Sequence, residues 1–220
     1  MSEQNPVGHR LIINWDAKIS HTKYLHKYGG LLSNKAILPK CSGCKDYYHL
    51  LLQIDLSDPT FTYLGLSPNN YLFVFTCLNC ASYERVMYYT FDNQSQGIEV
   101  LQSYARKCIK EYRNPLDEYN ISYRLLEDNE YPITKESLHN LGNKEGKHQM
   151  GGLPFWIQDE EHILCVNCKK EMPYIAMIDS ELYIGKDGFR EKGHMFGDEG
   201  ILYIFYCRFC NMIATIGQCF

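Results

Sequence analysis

Four Cys-x2-Cys pairs constrain this chain more than any other feature: Cys41 and Cys44, Cys77 and Cys80, Cys165 and Cys168, Cys207 and Cys210. The second and fourth pairs close nearly the same apolar phrase, LFVFTCLNC at 72–80 and LYIFYCRFC at 202–210. A Cys-x2-Cys at a tight turn aims both sulfurs to one side, and two such turns facing each other offer four thiolates with Zn–S distances of about 2.3 Å. The spacing therefore predicts two all-cysteine zinc sites, one from Cys41, Cys44, Cys77 and Cys80 and one from Cys165, Cys168, Cys207 and Cys210. Four thiolates fill zinc's tetrahedron, so both ions are expected to be structural. Disulfides, thioredoxin-like redox chemistry and sites shared between the halves compete for the same cysteines. The lack of a βαβ setting counts against redox.

The halves repeat in register. YGGLLSNKAILPKCSGC, HLLLQID and YLFVFTCLNC in the first answer to MGGLPFWIQDEEHILCVNC, YIAMID and ILYIFYCRFC in the second. Asp55 lies 11 positions after Cys44 and Asp179 lies 11 after Cys168. The late pair follows that Asp by 22 residues in one half and 28 in the other, a difference that the loop-like GKDGFREKGHMFGDEG absorbs. The apolar runs are short, rich in β-branched and aromatic residues and bounded by turn formers, so they read as buried strands. Strand-like sequence also follows each late pair, which predicts both at hairpin tips.

The expected fold is mainly β (α+β): two pseudo-symmetric β-rich lobes from an internal repeat, each with a zinc-ribbon-like four-cysteine site, joined by a helix-containing linker. The divisions are an N-terminal segment at 1–26, a first lobe at 27–92, a linker at 93–147 and a second lobe at 148–220. Within the linker, Ile98, Leu101, Ala105, Cys108 and Tyr112 recur at three- and four-residue spacings, predicting an amphipathic helix that ends before Pro115. YNISYRLLE reads as a strand, and ITKESLHNLG as a helix from Thr134 to Gly142.

Composition bounds the function. A 45% hydrophobic content with 14% aromatics is ample for a core, while a formal net charge of −4 without a Lys/Arg block makes nucleic acid a poor partner. The start lacks the pattern of a secretory signal and the apolar runs are too short to span a bilayer, so no membrane association and a cytoplasmic location are expected.

Other residues invite chemistry and also have plainer explanations. Asp55 and Asp179 suggest a carboxylate pair, yet an Asp ending a buried strand commonly accepts turn N–H bonds. The Gly29–Gly30 and Gly151–Gly152 doublets mark turns needing positive φ. In GGLPFWIQ the aromatics have no counterpart in the first half. Phe155 and Trp156 either plug the core or wall a groove, which makes Trp156, Gln158 and Asp179 the candidate ligand-binding residues. His49 and His148 read as structural and His162 and His194 as exposed. Cys108 reads as buried packing, and Cys219 is open to either reading.

The second half, through Gly151, Gly152, Pro154, Trp156, Ile157 and Gln158, the run ending in Asp179, and Gly197, Asp198 and Gly200, resembles the YwqG-like family of unknown function. That resemblance implies two similar β-rich lobes. The cysteine pattern is also similar to the C-terminal domain of the programmed cell death protein 2 family, which implies chaperoning of a protein partner. The preferred expectation is a zinc-stabilised, non-enzymatic module binding a protein partner, in a toxin-neutralising or chaperone-like role. The alternatives are an enzyme or small-ligand binder using an interlobe cleft with Asp179, Asp198, Gln158 or His194, and RNA binding through the zinc knuckles.

Overall fold

The computed structural model describes residues 6–15, 23–32, 37–66, 71–92, 97–106, 108–109, 111–127, 147–184 and 190–220. The strands are β1 (Gly8–Ile13), β2 (Lys27–Tyr28), β3 (His49–Asp55), β4 (Tyr71–Thr76), β5 (Met87–Asp92), β6 (Gly97–Gln102), β7 (Tyr119–Leu125), β8 (Gln149–Gly151), β9 (Tyr174–Asp179), β10 (Glu181–Ile184), β11 (Arg190–His194), β12 (Gly200–Cys207) and β13 (Met212–Cys219). Eleven form one curled sheet in the order β4-β3-β2-β7-β1-β8-β9-β12-β13-β5-β6, and β10 and β11 pair separately.

The continuous apolar runs become strands covered on both faces. All eight residues of β12 are buried. Leu202, Ile204 and Tyr206 enter the larger core, shared with Leu50, Phe75 and Phe196. Ile201, Tyr203 and Phe205 enter a second core with Phe155, Ile157 and Met177. One strand thus belongs to two cores because its side chains alternate between faces.

The repeat is visible in the pairing. In one lobe β7-β2-β3-β4 run side by side, in the other β1-β8-β9-β12, and the lobes join where β1 pairs antiparallel with β7, Leu11 opposite Tyr123. The duplicated glycines turn the chain as expected: Gly29 and Gly151 both have φ of 67°. A Cβ at Gly29 would come 2.1 Å from the Asp117 carbonyl oxygen, and one at Gly151 2.6 Å from that of Val7, so each site excludes a side chain for steric and conformational reasons.

Two expectations are corrected. The helix read over Ile98–Tyr112 is replaced by strand β6 and an irregular continuation: Ile98 and Val100 face the core while Gly97, Glu99 and Leu101 are exposed, a period of two. The apolar spacing fitted both periods, and pairing of Ile98 with Phe91 and Val100 with Tyr89 on β5 decides for the strand. The Thr134–Gly142 helix lies outside the described residues. Secondly, Cys207–Cys210 cap the hairpin β12–β13, but Cys77–Cys80 cap none. Short 3-10 turns at Leu78–Cys80 and Ser82–Glu84 redirect the chain, and β5 pairs with β13 of the other lobe. The sheet curls until β4 and β5 meet through side chains: the Tyr89 hydroxyl donates to the Phe73 carbonyl at 2.9 Å, and the Phe75 and Tyr89 rings lie 4.3 Å apart.

Candidate metal centres

Each early knuckle is built by the same backbone. The N–H of Cys41 bonds the Asp46 carbonyl at 2.8 Å and that of Lys45 bonds the Cys41 carbonyl at 3.1 Å; in the other lobe Cys165 bonds Lys170 at 2.9 Å and Lys169 bonds Cys165 at 3.0 Å. The turn needs a left-handed residue, supplied by Lys45 at φ 65° and Lys169 at φ 61°. Each lysine returns its ammonium to the turn, Lys45 to Ser42 O and Lys169 to Val166 O. The late knuckles match as well: Cys80 N–H to Cys77 O and Cys210 N–H to Cys207 O, both at 3.3 Å, followed by left-handed Ala81 and Asn211.

The knuckles meet within each half. The Sγ atoms of Cys41, Cys44, Cys77 and Cys80 all lie within 4.8 Å of one another, as do those of Cys165, Cys168, Cys207 and Cys210. The cross-knuckle separations Cys44 to Cys77 at 3.7 Å and Cys168 to Cys207 at 3.6 Å approach the edge of about 3.8 Å of a tetrahedron with metal–sulfur bonds of about 2.3 Å. Both clusters can hold a metal ion, with every corner supplied by the protein.

Four crowded thiols resist joint ionisation. A hydrogen bond from Cys77 and N–H groups of the knuckle bring Cys41 down to about 5. Burial, together with the Cys41 charge, pushes Cys80 up to about 12. In the second cluster the Lys170 N–H brings Cys168 down to about 7, while burial holds Cys210 up at about 12. Thiols held high in this way would gain most from a cation at the centre, so metal uptake there would release protons.

The first centre is buttressed from several elements. Ser82 Oγ accepts the Cys77 N–H at 2.7 Å and buried His49 Nδ1 accepts that of Leu78 at 3.3 Å. The chain after β6 lies over the late knuckle: Arg106 N–H reaches Cys80 O at 2.8 Å, Ile109 N–H reaches Asn79 O at 2.9 Å, and the Asn79 amide bonds both N–H and C=O of Tyr112.

Trp156, Gln158 and Asp179 serve different neighbourhoods. Half-buried Trp156 lies 4.5 Å from the ring of Tyr203, whose hydroxyl donates to Phe155 O at 2.6 Å and accepts the Ile157 N–H at 3.1 Å. Gln158 is exposed and donates to Cys219 O, with its own N–H on Gln218. Asp179 accepts the Lys147 N–H at 3.0 Å, and burial holds its carboxyl above the usual range against the pull of His148 and Lys147. The stretch GGLPFWIQ is thus stapled to β12 and β13.

Asp179 and Asp55 belong to a duplicated arrangement that reaches beyond the cysteines. His26 Nδ1 accepts the Asp55 N–H at 3.2 Å while Asp55 accepts the Leu25 N–H; His148 Nδ1 accepts the Asp179 N–H at 3.1 Å while Asp179 accepts that of Lys147. This fixes the proton on Nε2, which faces Asp58 in one lobe and Glu181 in the other. The signal in the sequence is His-x2-Gly-Gly, at 26–30 and 148–152. His194, expected at the surface, is fully buried, with Nδ1 3.1 Å from the Tyr28 hydroxyl. His162 is exposed, beside Glu171.

A cleft of about 770 Å³ opens between the lobes, lined by Leu78, Tyr83, Glu84, Arg106, Tyr112 and Asp198 among others. Of Gln158, Asp179, Asp198 and His194, only Asp198 lines it among the described residues. Cys108 borders the same cleft, and Cys219 donates to the Phe196 carbonyl. Among the described residues, no helix is long and apolar enough to cross a membrane. Comparison with family models, with curated proteins and with solved structures finds no match.

Proposed function

We propose that this protein is a zinc-stabilised, non-enzymatic module that binds a protein partner in the cytoplasm, with one structural Zn²⁺ in each four-cysteine cluster. The observation that carries this reading is the closure of both clusters: four cysteines fill every corner, leaving no position for a substrate or activated water. The arrangement of the polar candidates supports the non-enzymatic part, since Gln158, Asp179 and His194 satisfy backbone or core groups instead of converging. The two-lobed β architecture is compatible with the YwqG-like resemblance, which we retain as part of the proposal. A toxin-neutralising or chaperone-like role suits such a scaffold.

Elemental analysis of the purified chain with a thiol count tests the metal assignment. Two zincs per chain, with eight thiols unmasked by chelator under denaturing conditions, are expected. Iron in place of zinc, or cysteines already oxidised without metal, would overturn it. Cross-linking in cell extract followed by mass spectrometry tests the partner, and a chain that cross-links to no protein refutes the interaction role.

A further inference from the structure

The two late knuckles share a backbone but not a surface. Between the cysteines the first carries Leu78 and Asn79, exposed by only 6% and 5%, and the second carries Arg208 and Phe209, the latter 62% exposed. The first is covered by the chain itself: Arg106 and Ile109 donate backbone N–H groups to the carbonyls of Cys80 and Asn79. A late knuckle is therefore a surface on which an extended peptide docks by main-chain hydrogen bonds, and in the first lobe that peptide is supplied in cis. Among the described residues no segment takes the corresponding place over Phe209 and Cys210, and Leu164, bridged to Glu171 in the early knuckle, is 54% exposed.

The uncovered surface has its own chemistry. Lys170 Nζ sits 3.8 Å from the centre of the Phe209 ring and the Arg208 guanidinium 5.0 Å from it. Lys169 is turned back to the Val166 carbonyl, and Glu171, next in sequence to Lys170, is held by His162. An exposed phenyl flanked by two cations suits a carboxylate next to an apolar side chain. Two cations above a thiolate-rich centre, in a chain of net charge −4, are too few to hold a phosphate backbone.

We infer that the second knuckle, through Leu164, Lys170, Arg208 and Phe209, docks an extended acidic segment of a partner protein in the place that Arg106, Ile109 and Tyr112 fill on the first. This rests on the interaction-module reading and assigns it a surface. The partner's main-chain N–H groups meet the Phe209 and Cys210 carbonyls, its acidic side chains meet Lys170 and Arg208, and an apolar residue lies along Phe209 and Leu164.

The test selects random dodecapeptides displayed on phage against the full-length, metal-loaded chain, then measures the selected peptides by fluorescence polarisation. The expected sequences combine Asp or Glu with an apolar anchor. Phe209→Ser is expected to weaken them about tenfold or more, and Lys170→Glu with Arg208→Glu by a similar factor. Unchanged metal content and melting temperature in these variants would place the effect at the surface. Selection of basic peptides, binding indifferent to these substitutions, or failure to select any peptide dependent on Phe209 would overturn the proposal. So would an oligothymidylate that binds with the same dependence. A partner cross-linked at another surface would sink this assignment and leave the interaction module standing. A chain without its two metals, or one that cross-links to no protein, would remove the module itself.

Discussion

Replacing Tyr203 by Phe removes one oxygen from the second core and leaves the ring packed against Trp156, the two planes tilted by 34°. That oxygen is buried and satisfies two backbone groups, the Phe155 carbonyl at 2.6 Å and the Ile157 N–H at 3.1 Å. Tyr203 has 0% exposure, so water cannot reach either group without opening the core. Each orphaned group costs about 1–3 kcal/mol, and partial relaxation of the loop makes a loss of roughly 2–4 kcal/mol the expected total. For a chain of this length that lowers the melting temperature by roughly 5–12 °C. The assay is urea and thermal unfolding of wild-type and variant protein at fixed free metal, with amide hydrogen exchange at Ile157 as the local probe. A stability change under about 0.5 kcal/mol with Ile157 still protected would refute the argument that Tyr203 anchors GGLPFWIQ.

Substituting one ligand per cluster, Cys41→Ser or Cys168→Ser, should each remove one of two metal ions by elemental analysis; loss of both from one substitution would refute independent centres. The loss destabilises the corresponding lobe by several kcal/mol, since a structural zinc contributes on the order of 10–16 kcal/mol in small peptides. Burial holds His26 and His49 below their ordinary 6.5, so the unfolded chain binds more protons between that value and the lower folded values. Stability should therefore fall as pH drops below about 6.5, measured by urea midpoints while a zinc indicator reports the metal still bound. A pH-independent midpoint over that range would contradict this. Gly29→Ala should cost several kcal/mol, because its Cβ would lie 2.1 Å from a carbonyl oxygen, whereas Gly65→Ala, with φ of 60° and nothing within 4 Å, should cost only about 1–2 kcal/mol. Equal losses in thermal melts would show that the close approach at Gly29 relaxes freely.

The cysteine spacing and the apolar phrases determined by themselves that this chain makes short buried strands and two four-sulfur clusters, because a Cys-x2-Cys turn and a β-branched run are local devices. His-x2-Gly-Gly was equally visible, but a histidine accepting an amide 29 or 31 residues away is recognisable only once β2 lies beside β3 and β8 beside β9. Residues 97–112 could satisfy a period of two or of 3.6, and the choice fell to Tyr89 and Phe91 on the neighbouring strand. Only the tertiary structure decided that β5 leaves its own lobe to pair with β13, and that among the described residues one knuckle is covered by the chain and the other is not. Thr90 and Met212, opposite each other in that pairing, are more than a hundred residues apart, and nothing in either local pattern states which strand will lie alongside. The register follows from which edges remain once both cores are filled.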